Sequence, residues 1–488
     1  MDSRLAGAIV FVASGAVLVL EILAGRLLAP YVGVSLETFT GIIGVVLAGI
    51  AVGTWSGGRL ADRVDPRLLL PGALALGGAA AIAAIPIIRA LGPEARPPDP
   101  PTIVFLAATA FFAPSALLSA ASPVVVKIQL ADLDQTGRVV GRLSALGTAG
   151  SLVGVFTTGF VLVAEFPTTP VVITLGAVLV VLGIVLWLYL GRLRPVRFVV
   201  TGALIAAVAS GVAVAAPRPC DVETAYFCAS VRVDPDRPSG RTLVLDDLRH
   251  AYVDLDDPTY LDFAYTEILG DVVDAARPTG EPIDALHLGG GGFTLPRYVA
   301  ATRPGSRNVV LELDPGVVRV AEDELGLVLS DDLRVVTGDA RIGLRDVADD
   351  SMDLVVGDAF GGRAVPWHLT TVDFVRDIRR VLRDDGLYAQ NIIDQPPLAF
   401  LLADVATLRD VFEHVAVIGP PGRFDRSTGG NTIVVASDEP LPAAAIAALD
   451  AARGGGNVVA SDPTTIRELT AGARVLTDEH APVDQLLT

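Results

Sequence analysis

Lysine is almost missing from this chain. Lys127 is the only one, arginine does not make up the deficit, and the formal charge is −18. A surface this acidic argues against a nucleic-acid partner and offers no basic patch to anionic lipid. It suits a cationic ligand, although excess surface acid commonly serves only solubility. Cysteine is as scarce: Cys220 and Cys228 stand alone. With no second pair and no histidine cluster, no metal site is expected. A small disulfide loop or two inert thiols both fit so close a pair. A clear small-residue cleavage site is also lacking, and the first apolar run is long and followed by others, so it is not read as a cleaved signal.

The abundant feature is apolar length. At 488 residues the chain is too long for one ordinary domain, and a mean hydropathy of +0.55 is too high for a wholly soluble one. The average hides two halves. Up to about Pro217 the chain is a succession of apolar runs, and from Cys220 onward it is acidic and globular in character. Seven candidate spans fall at about 5–28, 36–58, 68–90, 102–126, 143–164, 170–191 and 197–216, each near the ~20 residues that a bilayer helix needs. Arg59, Arg63 and Arg67 follow the second; Lys127, Arg138 and Arg142 the fourth; Arg192, Arg194 and Arg197 the sixth. Only Arg89 and Arg96 lie between the third and fourth. Cytoplasmic loops carry the excess of basic residues, so the amino terminus is expected inside and the second half outside a cell membrane. The lipid bilayer is thus an expected partner.

Gly49, Gly53 and Gly57, and again Gly150 and Gly154, recur every fourth residue and predict close helix contacts. Glu21 lies deep in the first run, where a carboxylate is costly unless it is protonated, paired or facing a cavity. Arg26 and Arg59 are its candidate partners, and both a proton-coupling role and a structural hydrogen bond remain open. Pro114 and Pro123 are expected to kink the fourth run.

The second half is organised around DALHLGGGGF, Asp284 to Phe293, and VVLELDP, Val309 to Pro315. An apolar run ending in glycines, a helical segment and a second apolar run ending in an acid read as the opening of a nucleotide-binding α/β unit. Gly289, Gly290 and Gly291 let backbone approach a ligand, and Glu312 can accept both hydroxyls of a ribose. A plain strand-to-helix turn is the simpler alternative. Predicted strands follow at 285–288, 309–313, 334–337, 352–356 and 386–392, with helical segments between them. They imply a largely parallel, doubly wound sheet with Glu312, Asp339 and Asp358 at carboxyl ends, where such sheets bind ligands. Before it, Ser239 to Asp257 reads as a β-hairpin around Asp246-Asp247, and Tyr260 to Ala276 as a helix. The expected organisation is a multi-pass helical domain over 1–217, a linker with the cysteine pair and hairpin over 218–260, and a Rossmann-like domain over 261–488.

Over about Arg241 to Ile393 this half resembles the spermidine synthase family, the polyamine aminopropyltransferases. Four motifs match in order: LDDLRH with DFAYTE, LGGGGF, LELDPGV, and GDA followed by GDAF. Seven spans ahead of such a domain look like the membrane-fused spermidine synthase-like proteins of bacteria. The resemblance implies a hairpin subdomain over a class I methyltransferase-type Rossmann fold. It also implies decarboxylated S-adenosylmethionine, or S-adenosylmethionine itself, as co-substrate, an amine acceptor, and no metal. It puts Glu312 on the ribose, Asp339 and Ala340 at the adenine, Asp358 as the catalytic acid, and Tyr265 and Gln390 on motif positions. The chain departs from the family at Gly292 and Gly361, where acids are usual, at Thr266, where histidine is usual, and at His250, where glutamine is expected. A diamine needs a carboxylate at each ammonium, because an unpaired buried ammonium costs several kcal/mol. The nucleoside half is therefore better supported than the polyamine half. Three readings follow: an aminopropyl transferase, a transporter or accessory membrane protein with a degenerate ligand-binding domain, and a methyltransferase. Homo-oligomer formation is compatible with the sequence and not specified by it.

Overall fold

The computed structural model describes residues 1–95, 99–130, 133–190 and 197–487. Arg96, Arg192 and Arg194, which enter the charge asymmetry, and residue 191 of the predicted sixth run lie outside them. The chain forms two compact units. One is Met1–Ala229 with Leu245–Asp247, and the other is Ser230–Val244 with Leu248–Thr488.

Among its described residues the first unit holds seven helices that are long and apolar enough to cross a membrane by length and composition: α1 Ser3–Val32, α2 Leu36–Ala61, α3 Pro66–Glu94, α4 Pro100–Gln129, α5 Thr136–Glu165, α6 Thr168–Tyr189 and α7 Phe198–Ala215. Caps set three of the amino ends. The Ser35, Asp65 and Asp99 side chains accept from the N–H groups of Thr38, Arg67 and Thr102 at 3.1, 2.9 and 2.9 Å. The glycine ridges are close contacts. A Cβ on Gly57 would lie 2.8 Å from Ala120 of α4, and one on Gly154 would lie 2.6 Å from the Gly15 carbonyl of α1. At Pro114 of α4 the missing N–H follows a π-helical turn, Ala108–Phe112, and a second such turn spans Thr158–Leu162 of α5. Neither arginine proposed for Glu21 is shown on it. Arg26 reaches the Thr224 carbonyl at 2.5 Å and that of Ala225, while Arg59 lies over the Trp55 ring. Residues five apart on one helix lie on different faces, so Glu21 is poorly placed for Arg26, which instead satisfies loop carbonyls that have no helical donor. Cys220 and Cys228 are disulfide-bonded, with Cα atoms 5.5 Å apart.

Four short strands, β1 Val222–Glu223, β2 Cys228–Val233, β3 Gly240–Leu245 and β4 Leu248–Asp254, form a sheet in sequence order. The expected hairpin is β3 and β4; the other two strands are an addition. The second unit then runs α8 Ala264–Ala276, β5 Asp284–Leu288, α9 Thr294–Thr302, β6 Arg307–Glu312, α10 Pro315–Glu324, β7 Leu333–Thr337, α11 Ala340–Gly343, β8 Met352–Gly357, α12 Val372–Val381 and β9 Leu382–Asp394. It closes with α13 Ala399–Val411, β10 His414–Gly419, β11 Gly430–Ser437, α14 Ala443–Ala452, β12 Val458–Ala460, α15 Pro463–Leu469 and α16 Val483–Leu486. The eight-stranded sheet has the order β12-β10-β11-β9-β8-β5-β6-β7. Strands β5 to β9 are mutually parallel, and β10, β11 and β12 join antiparallel. Apolar runs such as LVV and NVVL fill positions covered on both faces, as parallel strands require. The chain leaves β5 for β6 and β7, then returns to the other side of β5 with β8. A crevice therefore opens at the carboxyl ends between β5 and β8.

The two ends of this sheet differ in charge chemistry. At the amino ends, Asp284 is held by Arg307 and Arg383, and Asp353 by Arg277 and Arg383, all at 2.6–2.8 Å. Arg303, 1% exposed, donates to the carbonyls of Asp274, Arg277, Pro278 and Glu281 at 2.8–3.0 Å and fixes the entry into β5. Arg303→Met leaves these carbonyls unsatisfied and is expected to cost about 3 kcal/mol in denaturant unfolding of the second unit. In the first unit, Gly57→Val is expected to cost about 1–3 kcal/mol by overpacking, read as a lowered melting temperature in detergent. Gly44→Val, which meets nothing within 4 Å, should leave that temperature unchanged.

Candidate active site

The loop after β5 is built from glycine for identifiable reasons. Gly289 and Gly291 have φ of +94° and +49°, the left-handed region. A Cβ on Gly289 would lie 2.5 Å from the Asp358 carbonyl, and one on Gly290 would lie 2.7 Å from the Phe293 ring. Gly292 faces β4, where a Cβ would meet that of Ala251 at 2.6 Å. The space an acidic side chain would fill is thus occupied by the hairpin, which Thr294 ties down by donating to the Tyr252 carbonyl at 2.8 Å. At Gly361 the surroundings are open, and the residue only closes a turn onto the Ala364 carbonyl.

Glu312, 7% exposed at the end of β6, accepts from the N–H groups of Gly290, Gly291 and Asp314 at 2.7, 3.4 and 2.8 Å. Burial raises its pKa against the pull of these three donors. Its carboxylate therefore binds the glycine turn to the next strand. Asp339 follows β7 and caps α11 through Oδ1, accepting from Arg341 and Ile342 N–H, while Oδ2 lies 2.9 Å from His368 Nε2. Ala340 is buried as the first residue of that helix. Beside the two acids, Leu313 and Ile342 are 42% and 63% exposed, apolar surface of the kind a flat heterocycle covers.

Asp358 lies just past β8. Its Oδ1 accepts from Asn391 Nδ2 at 2.8 Å, and the Tyr265 phenol is near enough to the same carboxylate to favour its ionised form. Burial pushes the Asp358 pKa up to about 6, with Asn391 and Tyr265 pulling it back. Burial also holds the Tyr265 phenol neutral and pushes His250 down to about 4. The Tyr265 hydroxyl is 3.5 Å from the His250 carbonyl. Thr266, 6% exposed, bonds back to the Phe263 carbonyl at 2.7 Å, so it serves the start of α8 and not the crevice.

The structure brings Gly289, Gly290, Gly291, Glu312, Asp339 and Asp358 to the carboxyl ends of β5 to β8, and Tyr265 onto Asp358. Gln390 does not join them. Its amide reaches Asp404 of α13 at 3.4 Å, because neighbouring strand residues point to opposite faces and Asn391 takes the face towards Asp358. Asn391 and His368 were missed by sequence reasoning. Alternation in β9 next to a motif glutamine is the signal for Asn391; His368, in the single 3-10 turn Trp367–Leu369, has none.

Among curated proteins, polyamine aminopropyltransferases are similar to this chain. That of Vibrio vulnificus is 32% identical over 138 residues, covering 28% of this chain and 45% of the relative. Polyamine aminopropyltransferase 2 of Streptomyces coelicolor is 35% identical over 141 residues, covering 27% and 25%. This chain is spermidine synthase-like. It spans about half or less of the length of the relatives it matches, and no protein-family model matches it. Among solved structures, a probable spermidine synthase from Corynebacterium glutamicum is 28% identical, covers 53% of this chain and 95% of its own, and has a TM-score of 0.49. The spermidine synthase of Thermotoga maritima is 17% identical, with 54% and 84% covered and a TM-score of 0.35. With parallel strands in the order β9-β8-β5-β6-β7 and a glycine turn after β5, the second unit is a Rossmann-like doubly wound sheet.

The raised Asp358 pKa carries a stability consequence. Because the folded value of about 6 exceeds the unfolded one, the folded state is penalised once the group ionises, so stability falls as pH rises from about 4 to about 6. Asp358→Asn removes the penalty and is expected to stabilise the protein by up to about 3 kcal/mol above pH 6, with no gain below pH 4, in pH-resolved denaturant melts.

Proposed function

We propose that the chain is a membrane-bound transferase. On this reading the second unit binds an adenosyl-sulfonium donor, decarboxylated S-adenosylmethionine or S-adenosylmethionine, and alkylates an amine. What carries it is the grouping of Glu312, Asp339 and Asp358 with Tyr265 at the carboxyl ends of adjacent parallel strands. Glu312 would meet the ribose, Asp339 and the apolar Leu313 and Ile342 the adenine, and Asp358 the reacting end. The mechanism follows from a carboxylate whose pKa is near neutral. Asp358 takes a proton from the acceptor ammonium, the freed nitrogen lone pair attacks the carbon next to the sulfonium, and the carbon–sulfur electrons stay on sulfur. The leaving thioether is neutral, so no acid is needed for its departure.

A second reading is supported by Gly292 and Gly361. With Ala251 against Gly292 there is no acid at that position, so a diamine finds no second anchoring carboxylate there. A degenerate ligand-binding domain in a transporter or accessory membrane protein fits this, and so does the expected external side, since adenosyl donors are made in the cytoplasm. Supplying the full-length protein with decarboxylated S-adenosylmethionine and a panel of mono- and diamines separates the two. Release of methylthioadenosine, abolished by Asp358→Asn, is the expected result; absence of turnover with every amine and with S-adenosylmethionine leaves only the ligand-binding reading. Sidedness has its own test. After reduction of intact cells, an impermeant thiol reagent is expected to label Cys220 and Cys228, and labelling only after lysis would place the loop inside.

A further inference from the structure

We infer that Asn391, held in one orientation by Asn431, is a positioning residue that keeps one Asp358 oxygen hydrogen-bonded and the carboxylate ready to take a proton on its Tyr265 side. The inference rests on Asp358 being the proton acceptor of the proposed transfer. Its basis is a directional chain across three strands. Asn431 Nδ2 donates to Asn391 Oδ1 at 3.0 Å, and Asn391 Nδ2 donates to Asp358 Oδ1 at 2.8 Å. The two ends of an amide are alike in shape and opposite in chemistry. A carboxylate only accepts, so Asn391 must turn its NH2 towards Asp358, and Asn431 rewards that choice by supplying a donor to the oxygen behind.

The register explains why these three meet. Gly357 of β8 pairs with Gln390, which sets Asp358 level with Asn391. In the antiparallel pair of β9 and β11, Asn391 lies opposite Ile433 and Asn431 opposite Ile393, so the two asparagines are diagonal neighbours on one face. Asn391 is 1% exposed, and an inverted amide would set two oxygens face to face out of water. The other titratable group acting on Asp358 is Tyr265 of α8, whose hydroxyl lies 3.5 Å from the backbone carbonyl of His250 of β4. Burial keeps both side chains neutral at pH 7. Ionisation of Asp358 therefore depends on neutral donors, of which Asn391 is the oriented one.

The test follows the Asp358 carboxyl directly, as the 13C-aspartate signal of the full-length protein in detergent that Asp358→Asn removes. The wild-type midpoint is expected near 6. Asn391→Leu is expected to raise it by about one pH unit, a tenfold loss of the ionised form at a given acidic pH. Asn431→Leu should raise it by less, since Asn391 is then free to turn over. An unshifted midpoint in a folded Asn391→Leu protein overturns the inference. A shift in Asn391→Leu without any in Asn431→Leu overturns the orienting chain. If Asn391→Leu does not fold, the half-buried Asn431→Leu decides alone, an unshifted midpoint again overturning the inference. None of these readings needs a substrate. Failure of the wild-type protein to bind any adenosyl compound counts against the proposed transfer, whereas an unshifted midpoint counts against Asn391 even in a protein that binds the donor.

Discussion

The crevice of the second unit depends on one buried carboxylate. Glu312 takes N–H donors from Gly290 and Gly291 with one side and from Asp314 with the other, locking the turn after β5 to the end of β6. Remove it and the glycine turn loses the acceptor that opposes its half-buried backbone N–H groups. The same turn carries Gly289 onto the Asp358 backbone and Gly292 onto Ala251. One carboxylate thereby couples the two parallel strands of the switch point to the hairpin strand β4.

The rest of the sheet makes this arrangement usable. Acids at its amino ends are matched by Arg277, Arg307 and Arg383, so their charge is spent on structure. The acids at its carboxyl ends are met mainly by uncharged N–H donors and by His368, the type of partner a ligand can share or displace. Asp358 illustrates the balance. Burial drives it towards neutrality, and Asn391 and Tyr265 keep ionisation within reach of physiological pH. On the proposed reading, substrate choice would fall to the loop chemistry at Gly292 and Gly361, where side chains carrying charge are missing.

Much of this was legible in the residues, for physical reasons. Apolar runs near twenty residues and the fourfold glycine spacing announce long helices in close contact, and Gly57 on Ala120 is that contact. The five parallel strands are short apolar runs ended by glycine or an acid, so β5 to β9 could be placed. Strands β10 and β11, HVAVIG and NTIVVAS, lack alternation because both faces are covered, and nothing local says how they pair. At the site, acids at strand ends could be named because strand order fixes them. Which of two adjacent residues faces the crevice could not: Gln390 sits on the motif position and Asn391 does the bonding. The pairing of Asp339 with His368, 29 positions on, is long-range and has no local signature.

The most direct measurement is calorimetric titration of the full-length protein with S-adenosylmethionine and its decarboxylated form, beside a Glu312→Ala variant. Binding of at least one donor by the wild-type protein, lost in the variant while the fold is retained, is the expected result. Absence of binding to any adenosyl compound, or binding that survives Glu312→Ala unchanged, would contradict the placement of the pocket at this glycine turn.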